Sequence, residues 1–95
     1  DYYASRGLGD VYKRQDVMMI PRKPGNRKYP AIIMEFKVHN SKKEETLEET
    51  VDHALDQIEA MNYDAQLFAR GFERKEIRHY GFAFEGKKVL IGMRE

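Results

Sequence analysis

Ala31-Ile32-Ile33-Met34-Glu35-Phe36-Lys37-Val38 is the stretch on which the fold turns. It is apolar almost throughout, so it reads as a strand covered on both faces, of the kind that occupies the middle of a sheet. Glu35 and Lys37 break that pattern, and a charge buried without compensation costs several kcal/mol. The strand period of two puts Glu35 and Lys37 on one face and Met34, Phe36 and Val38 on the other.

Upstream, Val17-Met18-Met19-Ile20 is a second apolar run, closed by Pro21. The intervening segment 22–29 holds Pro24-Gly25-Asn26 and four basic residues, Arg22, Lys23, Arg27 and Lys28, and reads as a solvated hairpin loop. Pairing through that hairpin would bring Asp16 near Glu35. Downstream, Ser41 and Glu44 have the form of a capping box. Glu44, Glu45, Glu48 and Glu49 then load the first turns with the negative charge a helix dipole favours, and read as a solvated face. Leu47, Val51, Ala54, Leu55, Ile58 and Met61 recur at helical spacing and predict a helix over 43–62. A shorter helix is predicted over 64–70, stopped at Gly71. Alternation over 77–84 predicts a strand, Glu85-Gly86-Lys87 a tight turn and 88–93 the returning strand. The order is β-β-α-α-β-β, an α/β chain with flanking helices.

Ninety-five residues make one domain or a piece of one. With 35% charged and 41% hydrophobic residues the chain is a folded, soluble type and not a disordered tail. No apolar run approaches the roughly 18 residues of a membrane span, and no signal peptide is expected. Cysteine is absent, which excludes disulfides and thiolate metal sites and fits the reducing cytoplasm. A net charge of +1 excludes a strongly basic nucleic-acid glove but not a local basic patch. The segment 5–15 reads as the translation of a transposase-based sequencing-library adapter, and residues 1–4 fit the primer end and sample index before it. Residues 1–15 are therefore expected to be non-native and are set aside. The remaining 16–95 carry no net charge. They are expected to lack an upstream helix and strand, which would leave an open sheet edge and an uncovered apolar face.

Asp16, Glu35 and Lys37 at one sheet end form a hydrolytic kit. Carboxylate oxygens suit a hard cation such as Mg²⁺ (or Mn²⁺), which keeps several waters and takes one or two protein carboxylates. Such an ion lowers the pKa of a bound water and offsets charge on a phosphate, and a neighbouring Lys can position the water or stabilise that charge. Glu-x-Lys alone is a weak signal; it also occurs at Glu73-Arg74-Lys75 and Glu85-Gly86-Lys87, both in polar links. From these residues alone, a solvated Glu–Lys pair at a strand end fits as well as a catalytic one. Gln57 flanks the apolar helix stripe, from which a long amide can reach over the sheet toward Glu35 and Lys37.

These features together resemble the PD-(D/E)XK nuclease superfamily, in particular the domain found at the C-terminus of AAA-ATPase-like proteins. The resemblance rests on Asp16-Val17-Met18-Met19-Ile20-Pro21, Pro30-Ala31-Ile32-Ile33-Met34-Glu35-Phe36-Lys37-Val38, Ala54-Leu55-Asp56-Gln57-Ile58 and Tyr80-Gly81-Phe82-Ala83-Phe84-Glu85-Gly86-Lys87-Lys88-Val89. It implies a restriction-endonuclease-like mixed sheet, N-terminally truncated, and a Mg²⁺- or Mn²⁺-dependent nuclease acting on nucleic acid, with DNA the expected substrate. It implies Asp16 and Glu35 as metal ligands with the Phe36 carbonyl as a possible third, Lys37 as the catalytic lysine, and Gln57 as the helix glutamine of RecB-like members, with Tyr63 extending that motif. It also implies an ATPase domain in the same parent chain.

The other candidates are weaker. Tyr63 by itself reads as a core-edge aromatic. His39 follows Lys37 on its face and could touch substrate; His53 points away from the stripe and reads as solvated. Arg22, Lys23, Arg27 and Lys28 could meet a phosphate backbone. The rival functions are a pseudo-nuclease that binds nucleic acid or protein without cutting, and a structural cap on an ATPase.

Overall fold

β3 (Ala31–Val38) lies at the middle of a five-stranded sheet in the computed structural model, which describes residues 2–6, 14–23, 25 and 29–94. The other strands are β1 (Tyr2–Arg6), β2 (Arg14–Pro21), β4 (Ile77–Glu85) and β5 (Lys88–Arg94). They stand in the order β1-β2-β3-β4-β5. β3 and β4 run parallel and every other pair antiparallel, so the sheet is mixed. A parallel pair needs a long crossover. Here it contains α1 (Leu47–Met61), α2 (Tyr63–Ala69) and a 3₁₀ turn at Arg74–Glu76.

The order β-β-α-α-β-β over residues 16–95 is the one the sequence predicts. Two expectations need correction. The edge beside β2 is not open: β1 pairs along it from Tyr2↔Pro21 to Arg6↔Val17, and the Tyr2 hydroxyl donates to the Pro30 carbonyl at 2.7 Å. The supposed adapter segment therefore contributes a strand, while its residues 7–13 lie outside the described residues. The helix also starts later than expected. Thr46, not Ser41, is the N-cap, with its hydroxyl accepting from the Glu49 amide at 3.2 Å. Ser41–Glu44 and Thr46–Glu49 have the same local spacing, and the structure uses the second.

Both helices pack on one face of the sheet. Met18, Ile20, Ala31, Ile33, Ile77 and Ala83 meet Val51, Leu55, Ile58, Tyr63 and Leu67 there. Met61, assigned to the stripe, is 37% exposed at the end of α1 and lies outside the core. On the opposite face Phe36 packs against Phe82 and Phe84, with ring centroids 4.8 and 6.2 Å away. Val38, Val89, Ile91 and Met93 are exposed on that side. Among the described residues no helix is long and apolar enough to cross a membrane.

The helix comes down onto two facing glycines, Gly81 and Gly92. A Cβ at Gly81 would sit 2.9 Å from the Val51 carbonyl oxygen, and one at Gly92 would sit 2.5 Å from a Val51 methyl. The carbonyl cannot move without the helix, whereas the methyl can rotate away. Gly81→Ala is thus expected to destabilise by about 2 kcal/mol and Gly92→Ala by less. Denaturant midpoints of the two variants check the order.

Candidate active site

The β2–β3 register makes Asp16 and Glu35 direct partners. Direct partners on one face have Cβ atoms about 5 Å apart, and these two face the helices. Glu35 is fully buried and Asp16 is 5% exposed. On the strand beside them Gly81 stands next to Glu35 and Ala83 next to Lys37.

Tyr63 reaches this pair from α2. Asn62 ends α1 in the left-handed region at φ 53°, which asparagine tolerates better than most residues. The bend starts α2 at Tyr63, whose buried hydroxyl donates to Asp16 Oδ2. This fixes one carboxylate oxygen and leaves the other to a further partner.

Lys37, two residues beyond Glu35 on the same face, is anchored by a residue outside the expected set. Its Nζ lies 2.5 Å from Glu44 Oε2. Glu44 is not part of a solvated acidic run; its side chain is fully buried. It accepts from the Asn40 amide at 2.8 Å, from Thr50 Oγ1 at 2.9 Å and from His53 Nδ1 at 2.5 Å. Burial pushes its pKa up, but the hydrogen bonds from Lys37, Asn40, His53 and Thr50 outweigh that and bring it down to about 2. His39 joins the cluster through Nδ1, 2.7 Å from Thr50 Oγ1. Because Thr50 donates to Glu44, that nitrogen must carry the proton. Its Nε2 stands 3.7 Å from Glu85. His53 is half-exposed but engaged with Glu44, and so is not merely solvated.

Gln57 is half-buried on α1, one turn beyond His53 and two beyond Thr50, on the side that carries the Glu44 cluster. The rise of about 1.5 Å per residue sets Gln57 roughly 10 Å along α1 from Thr50. Phe36 turns its ring to the opposite face, so only its backbone could serve the site. Arg22 and Lys23 are exposed in the β2–β3 connection, with Arg27 and Lys28 outside the described residues.

The donor set fits a hard divalent cation. Carboxylate oxygens are the donors that a hard divalent cation takes. Among the described residues no cluster of three or more His, Asp or Glu could hold a metal, so backbone and water would have to complete the shell. Sequence reasoning missed Glu44 and Thr50. Thr50 was findable, as the polar residue next to Val51 on the buried side of the helix; Glu44 carries no local signal that separates it from its three acidic neighbours.

A family model described as the PD-(D/E)XK nuclease superfamily matches residues 12–94. No curated protein and no solved structure matches the chain. The matched span runs from β2 to β5 and takes in the Asp16–Glu35 pair, Lys37 and Gln57. With a match over most of its length and a mixed sheet whose central strand sets Glu35-Phe36-Lys37 against Asp16, the chain belongs to the PD-(D/E)XK nuclease superfamily.

Proposed function

We propose that this domain hydrolyses phosphodiester bonds in nucleic acid, DNA in the first place, with Mg²⁺ or Mn²⁺ as cofactor. The observation that carries the reading is the direct pairing of Asp16 with Glu35 on the face that Lys37 shares. Asp16, Glu35 and the Phe36 carbonyl would hold the ion, which when bound acidifies a water and offsets phosphate charge. Tyr63 keeps the Asp16 carboxylate turned, with one oxygen occupied. The Lys37 ammonium stabilises the anionic charge that builds on the phosphate. Gln57 and His39 are the further polar groups toward the substrate. The reading of residues 16–95 as the C-terminal part of a nuclease domain behind an adapter-derived 1–15, in a cytoplasmic parent chain with an ATPase domain, is supported by resemblance alone.

The test is cleavage of single- and double-stranded DNA and RNA with Mn²⁺, beside a chelated control. Metal-dependent cleavage that Asp16→Asn removes supports the reading. One observation favours the rival binding module: Glu35 is fully buried, so a scissile phosphate reaches it only if the elements around it move apart. A folded protein that binds nucleic acid and cuts none would make the rival the better account.

Arg22 and Lys23 give a separate prediction. If both meet phosphates, replacing both with Gln lowers the slope of log K against log salt by about 2, at about 0.9 per contact. A salt titration of binding checks it, and an unchanged slope removes the hairpin from the interface.

A further inference from the structure

We infer that Glu44 is the positioning residue of Lys37: it holds the lysine ammonium at the Glu35 end of the sheet through a carboxylate that the protein has itself immobilised. The inference rests on the nuclease reading for its catalytic consequence, but not for its geometry. A lysine side chain has many rotamers and no fixed direction of its own. A surface carboxylate would hold it weakly. Glu44 differs because its side chain is fully buried and its position is fixed by three groups besides Lys37. The Asn40 amide comes from the loop after β3, and Thr50 and His53 come from successive turns of α1. The carboxylate is thus tied at once to the loop, to the helix and to the lysine.

The charged and titratable groups around Glu44 are Lys37 on β3, His39 just beyond it and His53 on α1, with Glu85 of β4 reached through His39. Lys37 is the one among them that stands two residues from Glu35 on β3, on the face that Glu35 and Asp16 share. Loss of the Glu44 charge therefore frees Lys37 to sample solvent directions while Asp16, Glu35 and Tyr63 stay in place. The expected signature is a fall in kcat without a matching change in KM, because the substrate contacts are kept and the aimed cation is lost.

Two measurements test this. The first needs no activity: trace acylation of the folded chain with acetic anhydride, read lysine by lysine in a mass spectrometer. Lys37 should react about tenfold more slowly than exposed Lys42 and Lys43, and Glu44→Gln should bring it to within about threefold of them, the scale of one charge-assisted contact. Glu44→Asp, which keeps the charge but withdraws it by one methylene, should fall between; it serves alone if Glu44→Gln does not fold. Lys37 as reactive as Lys42 in the wild type, or unmoved in the variants, overturns the inference. The second is kinetic: Glu44→Gln should lower kcat about tenfold with KM within about twofold, and should add nothing in a Lys37→Gln background. Additive losses would mean that Glu44 acts on something other than Lys37. If the wild type cleaves nothing, the nuclease reading fails, and the acylation result still decides whether Glu44 holds Lys37.

Discussion

Glu35→Gln is expected to reduce metal-dependent cleavage about a thousandfold and to remove the stabilisation that the metal gives the fold. The two effects have one cause. Asp16 and Glu35 are register partners buried on a face otherwise built from Ala31, Ile33, Ala83, Leu55 and Ile58. Glutamine keeps the volume of Glu35 and takes away one of the two carboxylates that would hold the ion. The reaction loses, because an ion held by Asp16 alone is badly placed, and a loss of about 4 kcal/mol of transition-state stabilisation is a factor of about a thousand. The metal should also appear in the melting curve. At ten times its Kd it stabilises the wild type by about 1.4 kcal/mol, and Glu35→Gln should lose that increment. Thermal unfolding with chelator and with Mg²⁺, beside a cleavage time course, tests both effects. A wild type indifferent to Mg²⁺ would show that the pair is not a metal site.

What could be read from the sequence divides along a physical line. β3 was legible because a strand apolar on both faces has few places to go but the middle of a sheet. The Asp16–Glu35 encounter was legible because a hairpin fixes register once both strands are identified. What failed were choices that depend on partners distant in sequence. Ser41–Glu44 and Thr46–Glu49 satisfy the same capping rule, and nothing local separates them. Glu44 is withdrawn from helix capping because Lys37, seven residues earlier, and His53, nine later, converge on it. A helical wheel placed His53 off the apolar stripe correctly, since it is half-exposed, but a wheel cannot show that a loop carboxylate stands opposite. β1 was set aside on grounds of origin, yet an unpaired edge of β2 accepts a strand whatever its source, and Tyr2-Tyr3 has the aromatic character strands favour.

Glu44 also sets the acid limit of the fold. Its carboxyl titrates at about 2 in the folded protein against an ordinary 4.5. Above pH 4.5 the group is ionised in both states and its full contribution is present. As pH falls below 4.5 the unfolded chain takes up the proton first, so stability drains away until the folded carboxyl protonates near 2. The interval corresponds to about 3 kcal/mol, a large share of what a domain this small possesses. In Glu44→Gln that term is absent. The gap in unfolding free energy between wild type and variant should therefore be largest near neutrality and shrink by about 3 kcal/mol between pH 5 and pH 2. Urea titrations at half-unit pH steps measure the gap directly. Glu44→Ala should be worse than Glu44→Gln at every pH, because alanine leaves the Asn40 amide and the Thr50 hydroxyl without their acceptor, at about 1–3 kcal/mol each where they are buried. Lys37 and His53 lose less, since both have a path to solvent. A gap independent of pH would mean that Glu44 is held by packing and not by its charge, and the ion pair with Lys37 would then count for little in either stability or function.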